Sequence, residues 1–576
     1  VEKRDFSGSN RLLLLSAFAV VIGGLSTLGA WLLLALIRFF TNLFFYQTVS
    51  LAQSSPADNT LGAWVILVPA LGGLIVGLMA RYGSDKIRGH GIPEALEAIL
   101  FGKSQMSAKV AVLKPLSSGV VIGSGGPFGA EGPIIMTGGA AASLLAQAFH
   151  LTSAERKALL VAGACAGMTA VFGTPLAAIL LAVELLLFEL RPRSLLPVAL
   201  ACTVAGFLRP LWAEAGPLFA MQTPPAETIA LVSCVVAGLA CGMLCTAMTA
   251  ILYKVEDGFG RLPIHWMWWP ALGGLVVGLG GWLEPRALGV GYDVIGDLLA
   301  NHLALSVVVA LVLVKAVIWA VALGSGTSGG ILAPLLMIGA GLGCVLGHWL
   351  PGGDIRLWAL VCMAATLGGT MRAPLMAVVF AFELTWDTNA LLPTILGCVV
   401  AYGFSVVAMP RSILTEKIAR RGLHVYREYG VDPLERHFVS EVMTTEAVTI
   451  PAAMPVPEVQ ARYFGAGQKH RAYPVVADGG RLLGMVDRDD LPPEVVQDAG
   501  QPVGELMQGV EAPHALPTET CRAVASRMAA LDVQRLPVVE SAQSPRLLGV
   551  VSRSDLLKPA RQLHEEESRR ERFLRR

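Results

Sequence analysis

Residues 12–40, 61–80 and 303–323 are apolar almost without interruption, and each is long enough as a helix to cross the roughly 30 Å of a bilayer's hydrocarbon core. Between them the chain continues through further apolar segments, broken by short clusters of Gly, Ser and Pro rather than by charged loops. This pattern predicts a polytopic helical membrane body. The first stretch follows a short charged start, is too long for the apolar core of a signal peptide and lacks a small-x-small cleavage site behind it, so it reads as a retained first helix. Beyond residue 430 the pattern changes. Short apolar runs alternate there with amphipathic ones such as 456–464 and 521–531, which predicts small α/β units.

Charge follows the same division. Of 44 Lys+Arg and 43 Asp+Glu in 576 residues, 48 fall in residues 1–430 (11%) and 39 in residues 431–576 (27%). Only the second part reaches the roughly 25% of a soluble protein. The net charge of +1 implies no nucleic acid or acidic macromolecular partner. Eight of the nine Cys lie between Cys165 and Cys398 within apolar segments, and no CxxC or Cys/His spacing suggests a metal.

The body repeats itself. Lys114, Gly123, Ser124, Gly125, Gly129, Pro133, Met136 and Gly138 return 201 residues later as Lys315, Gly324, Ser325, Gly326, Gly330, Pro334, Met337 and Gly339. Upstream, Gly89-His90-Gly91 matches Gly289-Val290-Gly291; downstream, residues 174–185 match residues 373–384. Two related halves, 60–215 and 225–420, follow from these matches. Duplication of this kind is typical of membrane transporters, in which discontinuous helices point their N-terminal ends at an ion near the midplane. Such ends favour an anion, because exposed N–H groups and the positive end of the dipole hold it without a full positive charge. The plainer alternative is close helix crossing at small residues.

Glu131, in Gly129-Ala130-Glu131-Gly132-Pro133, is the only charged side chain between Lys114 and Glu155. An intramembrane acid is costly unless it serves a path or a partner. At a helix N-terminus its carboxylate could occupy an anion's place when ionised and swing away when protonated, which makes a gate; capping a helix is the alternative. Glu184 and Glu383, the paired acids of the downstream motif, read equally as helix-end hydrogen-bond acceptors or as part of a proton route.

These residues resemble the CLC family of chloride channels and chloride/proton exchangers. Gly89-His90-Gly91-Ile92-Pro93 is similar to the family's Gly-Ser-Gly-Ile-Pro, residues 129–133 to Gly-Lys/Arg-Glu-Gly-Pro, and Gly330-Ile331-Leu332-Ala333-Pro334 to Gly-x-Phe-x-Pro. The resemblance implies an all-α membrane domain with two inverted repeats, a homodimer with one anion pathway per subunit, a gate at Glu131, and an anion path past His90, Gly91, Ile92, Ala130, Gly132, Ile331, Leu332 and Leu414. Four positions depart from the family pattern. His90 stands at the usual serine; it can donate one hydrogen bond and titrates near a reference pKa of about 6.5. Leu332 replaces a phenylalanine. Leu414 falls where the family has a tyrosine, and Leu185 where its exchangers carry an internal glutamate. Leucine neither donates nor titrates, so the expectation is passive chloride conduction. Proton-coupled antiport through Glu131, His90 and Glu184 is the rival.

In the tail, residues 439–443, 473–476 and 482–490 recur as 502–507, 536–539 and 547–555. The two copies resemble a tandem CBS pair, a small α/β regulatory domain. Such pairs can hold an adenine nucleotide through a hydroxyl residue and an Asp three positions later. Ser552 and Asp555 keep that pattern, whereas Asp487 replaces the hydroxyl residue beside Asp490, so at most one good nucleotide site is expected. Packing alone is the alternative role.

The expected organisation is an N-terminal start and first helix region (1–59), the membrane halves 60–215 and 225–420, a linker (421–436), CBS copies 437–498 and 499–560, and a charged tail (561–576). The reading is a transport protein rather than an enzyme. It is a multi-pass protein of the cell membrane with the CBS pair in the cytosol, and requires no cofactor. Its partners are chloride, other monovalent anions, protons in the rival reading, lipid and a second copy. A membrane-anchored nucleotide sensor is the alternative from another class. A divalent-cation channel is opposed by the lone acid, where a ring of carboxylates would be needed.

Overall fold

The computed structural model describes residues 11–425, 427, 433–465, 468, 470–491, 500–507, 513–541, 543 and 545–571. The charged start before residue 11, residues 426 and 428–432 of the 421–436 linker, the 498/499 boundary and the last five residues lie outside the described residues. The chain forms two compact units, Val1–Tyr429 with Arg570–Arg576, and Gly430–Arg569.

The first half of the first unit contains α1 (Arg11–Tyr46), α2 (Leu67–Tyr82), α3 (Ile92–Leu100), α4 (Ala108–Gly123), α5 (Glu131–Gln147), α6 (Ser153–Phe172), α7 (Pro175–Leu181) and α8 (Pro192–Leu208). The second half contains α9 (Ala230–Gly260), α10 (Trp269–Leu283), α11 (Tyr292–Leu299), α12 (Leu305–Gly324), α13 (Leu332–Leu346), α14 (Ile355–Met371), α15 (Pro374–Thr385) and α16 (Leu391–Ala408), and α17 (Ile413–Arg420) follows. Among the described residues six helical spans are long and apolar enough to cross a membrane, and the three apolar runs of the sequence fall on them. Residues 158–172 of α6 and 357–371 of α14 are buried on every face. By contrast α1, α9 and α16 expose apolar side chains such as Leu28, Val232 and Leu392, the pattern of helices that face lipid around an enclosed centre.

The offset of 201 extends upstream, where Pro69, Gly72, Gly73 and Gly77 of α2 match Pro270, Gly273, Gly274 and Gly278 of α10. A Cβ on Gly73 would stand 2.2 Å from the Pro270 carbonyl oxygen, and one on Gly274 would stand 2.3 Å from that of Pro69. Only glycine permits this approach, and its reciprocity puts a local two-fold axis between the halves. Further out, Gly23 of α1 abuts the Ala201 carbonyl of α8 just as Gly238 of α9 abuts the Gly397 carbonyl of α16, a Cβ standing 2.8 Å away in each case. The first repeat therefore reaches back into α1, well before residue 60. Packing rather than side-chain identity relates α1 to α9, so the sequence match stops short of it.

In the second unit Ala472–Val476 pairs antiparallel with Leu482–Asp487 and parallel with Ile450–Pro451. The second copy repeats this with Arg535–Val539 and Leu547–Ser552, Ala515 bridging in parallel to Val538. The cores cross over. Val439 and Val442 pack with Ala515, Val524, Leu536 and Val551 of the second copy, while Val503, Leu506 and Met507 pack with Ile450, Val459, Tyr473 and Val486 of the first. Each copy's leading segment thus completes the other's core, so the boundaries 437–498 and 499–560 cut across an exchange that chain order conceals. Within the 561–576 tail, helix continues to Ser568, and Arg570–Glu571 pairs antiparallel with Leu151–Thr152.

Candidate functional site

Two buried lysines set the loops that carry the site. Lys114 Nζ, at the position α4 shares with Lys315 of α12, donates to the carbonyls of Ile87 (2.9 Å) and Gly89 (2.8 Å) and to Ser328 Oγ (3.0 Å). Lys315 Nζ donates to the carbonyls of Ala287 and Gly289, both at 2.9 Å. The chain on either side must turn sharply to enter α3 and α11, and Gly89, Gly91, Gly289 and Gly291 supply the positive φ values (82°, 90°, 64° and 76°). The repeated lysine is thus an internal clasp for the repeated Gly-x-Gly turn.

The halves meet at Gly129 and Gly330. The Gly129 N–H donates to the Gly330 carbonyl at 3.2 Å and the Gly330 N–H to the Gly129 carbonyl at 2.9 Å, so the first turns of α5 and α13 are brought face to face. Glu131 opens α5 and is 0% exposed. Its Oε1 accepts the Ala333 N–H at 3.1 Å, in the first turn of α13, and its Oε2 is buried without a hydrogen-bond partner. Small residues keep the crossing tight. A Cβ on Gly132 would stand 1.7 Å from the His90 carbonyl oxygen, and one on Gly91 would stand 2.8 Å from that of Gly132. The N-terminal turns of α3, α5 and α13 therefore converge on one place. The first-turn N–H groups of a helix have no intrahelical acceptor, and such turns are suited to hold an anion. The Glu131 carboxylate is the negative group that the structure puts against one of them, through the Ala333 N–H of α13.

His90, Ile92, Ala130, Ile331, Leu332 and Leu414 are all buried. Both ring nitrogens of His90 lack a hydrogen-bond partner. Leu332 is the repeat equivalent of Glu131, at the offset of 201. Leu414 lies in α17, which is tied to α3: Arg421 and Lys417 reach Glu94 Oε1 at 2.8 and 3.8 Å, and the Glu94 carboxylate caps α3 by accepting the Gly91 N–H. A tyrosine does approach this end of α17, from α9, but the Tyr253 hydroxyl donates to the Ile413 carbonyl at 2.5 Å and has no second proton to offer.

Glu184 and Glu383 form a reciprocal pair. Glu184 accepts the N–H groups of Leu375 (3.3 Å) and Met376 (2.8 Å) at the start of α15, and Glu383 accepts those of Leu176 (3.0 Å) and Ala177 (2.8 Å) at the start of α7. Each half caps a helix of the other. In the second unit Asp555 Oδ2 accepts the Ser552 N–H (2.9 Å) and its hydroxyl (2.6 Å), while Lys558 Nζ stands 2.7 Å from Oδ1. The Asp487 N–H donates to Asp490 Oδ2 at 2.8 Å in the same manner. The Ser/Asp spacing is thus a helix capping box in the second copy, with its acidic counterpart in the first.

One residue at the crossing had not been singled out from sequence. Tyr292 opens α11 directly after Gly289-Val290-Gly291, where the first half has Ile92, and its hydroxyl is buried without a hydrogen-bond partner. Its place after the second Gly-x-Gly is the signal that could have found it.

Residues 72–406 match the voltage gated chloride channel family, and residues 439–491 and 503–560 match the CBS domain family. The voltage-gated ClC-type chloride channel ClcB of Escherichia coli O81 is 33% identical over 380 residues, covering 63% of this chain and 89% of that protein. The protein of the same description in Citrobacter koseri is 32% identical over 361 residues, covering 60% and 85%. Two solved structures share the fold. A slow cyanobacterial Cl−/H+ antiporter has a TM-score of 0.62 at 20% identity, covering 72% of this chain and 99% of its own. A eukaryotic CLC transporter has a TM-score of 0.61 at 18% identity, covering 95% and 98%. With the repeats, the paired helix starts and the buried glutamate in place, the chain belongs to the voltage gated chloride channel (CLC) family of membrane anion transporters, with a tandem CBS pair at its C-terminal end.

Proposed function

We propose that the chain conducts chloride passively across the cell membrane, as a homodimer with one pathway per subunit, and that Glu131 is its gate. The observation that carries this reading is the Glu131 carboxylate itself, fully buried and accepting an N–H of the first turn of α13, as a bound anion would. When the carboxylate leaves, chloride takes its place. Passive conduction is supported by the state of the acids behind the gate. Leu185 stands after Glu184, and both oxygens of Glu184 are engaged in capping α15. A specific observation favours the rival, proton-coupled antiport: His90 is 2% exposed with two unpartnered ring nitrogens, a titratable group one loop from Glu131. The relatives whose names carry a chloride channel and the structures described as antiporters fall on either side of the same question.

The experiment is chloride efflux from liposomes with external pH recorded and voltage clamped by a potassium ionophore. The expected result is chloride flux without uphill proton movement, with a pH dependence between pH 4 and 8 that Glu131→Gln removes. Sustained proton transport at a fixed chloride/proton ratio would replace passive conduction with antiport, and its loss in His90→Ser with chloride flux retained would assign the relay to His90. Unchanged gating in Glu131→Gln would remove the gate assignment.

The CBS pair, read as cytosolic, would bind an adenine nucleotide at Ser552 and Asp555, with Asp490 in the first copy the weaker counterpart. The hydroxyl and carboxylate of the second copy are already held together, beside the Lys558 ammonium. Calorimetric titration of ATP, ADP and AMP into the full chain is expected to show binding that Asp555→Ala weakens; no binding at millimolar nucleotide would leave the pair a packing module.

A further inference from the structure

We infer that the Tyr292 hydroxyl is an anion ligand of the gate site, supplying from the second half the O–H donor that Leu414 lacks. This deepens the proposed function and rests on its reading of Glu131 as the gate.

Besides the two ring nitrogens of His90, the buried polar groups at the crossing left without a matching partner include Glu131 Oε2, to which nothing donates, and the Tyr292 O–H, which nothing accepts. Glu131 Oε2 and the Tyr292 hydroxyl belong to one environment, since the Glu131 carboxylate acts on the tyrosine oxygen and the Ala130 N–H, one residue before Glu131, donates to it, leaving the phenol proton still without an acceptor. A phenol left without an acceptor in a buried site is costly. A group retained at that cost, next to a carboxylate that gives way, is matched to an acceptor that comes and goes.

Its placement is fixed from several directions. Phe172 meets the Tyr292 ring edge-on, with centroids 5.9 Å apart, and Phe380 packs behind Phe172 at 5.2 Å. The turn before it is held by Lys315 and by the Gly289 N–H donating to the Gly125 carbonyl at 3.0 Å. Gly291 presses α11 onto Met337 of α13, where a Cβ would stand 2.2 Å from the methyl carbon. The first half presents Ile92 at the equivalent place, which has no side-chain donor. Only the turn of the second half therefore adds a hydroxyl to the backbone N–H groups. One O–H strengthens the hold on a small, strongly hydrated anion more than on a large, weakly hydrated one, so Tyr292 also sets selectivity.

Tyr292→Phe keeps the ring and removes only the donor. Chloride binding to the full-length protein in detergent, read by calorimetry, is expected to weaken about three- to tenfold, the equivalent of one hydrogen bond at about 1.4 kcal/mol per factor of ten. The rise of Tm with chloride concentration is expected to shrink accordingly; because it is a slope within each variant, it does not depend on how stable the variant is. Unchanged chloride binding and an unchanged Tm slope would overturn the assignment. So would a change confined to the pH profile of flux, which would make Tyr292 a positioning residue for the Glu131 carboxylate instead. Failure of the gate reading is separately visible, because it appears in Glu131→Gln flux whatever Tyr292→Phe does to binding.

Discussion

Glu131 and Leu332 occupy the same place in the two halves, 201 residues apart, and only one of them carries a charge. His90 and Val290 differ in the same way across the Gly-x-Gly turns, as do Ile92 and Tyr292 immediately after them. The positions at which the halves agree do something else. Lys114 and Lys315 clasp equivalent loops, Glu184 and Glu383 cap each other's neighbouring helices, and Gly73 and Gly274 let α2 and α10 touch backbone to backbone. Agreement between the repeats maintains the frame, and the residues proposed for the pathway fall where the repeats disagree. A two-fold frame offers equivalent helix ends to the ion from both sides, and a direction or a gate appears only where that equivalence is broken.

The comparison is tested most severely at the lysines. Lys114→Met and Lys315→Met each strand at least two buried carbonyls, on the order of 2–6 kcal/mol, so both are expected to lower Tm sharply and to reduce the monodisperse fraction in detergent. Lys114→Met should be the worse, because it also removes the ammonium's bond to Ser328 Oγ, leaving that hydroxyl to Ser117 and Ser118 alone. A neutral Lys315→Met would break the equivalence of the clasps.

A smaller and more even effect is expected from Glu184→Ala and Glu383→Ala. Loss of a cap costs about 0.5–2 kcal/mol, and the two Tm decreases should agree closely while the chloride/proton behaviour stays that of the parent. If Glu184→Ala alone altered proton movement, Glu184 would leave the frame and join the pathway.

The smallest effect belongs to the second unit, where the two copies also differ. Burial pushes the Asp555 carboxyl up, but the bonds from Lys558 and Ser552 outweigh burial and hold it below the ordinary aspartate range. A depressed carboxyl stabilises the fold above the unfolded value of about 3.9, and that contribution is lost as pH falls through the folded one. Hydrogen exchange of the 433–571 segment in the whole protein should therefore quicken below about pH 4, and Asp555→Asn should flatten that step.

Much of the membrane unit was legible in the sequence because apolar length and glycine identity are local signals. The body, its duplication and the frame of Glu131 could all be read from them. What was not legible depends on partners far along the chain. The roles of Glu184 and Glu383 rest on N–H groups some 190 to 210 residues away, the kinship of α1 and α9 rests on packing, and the exchanged segments of the CBS copies belong to cores that chain order separates. Tyr292 was passed over for a related reason. A tyrosine at the start of an apolar helix resembles any interfacial aromatic until the neighbouring carboxylate is seen.

The crossing at Glu131 also sets a timetable for synthesis. Glu131 waits for the N–H of Ala333, 202 residues later, and Lys114 waits for Ser328, 214 residues later. At ~5–20 residues per second a ribosome needs roughly 10–40 s to bridge such a gap. For that interval the first half sits in the bilayer with a lone carboxylate, an incompletely satisfied lysine and helix ends not yet capped. Newly made first halves should therefore be clients of membrane chaperones and proteases, and truncations between residues 215 and 330 should be cleared from the membrane rather than accumulate as half-proteins.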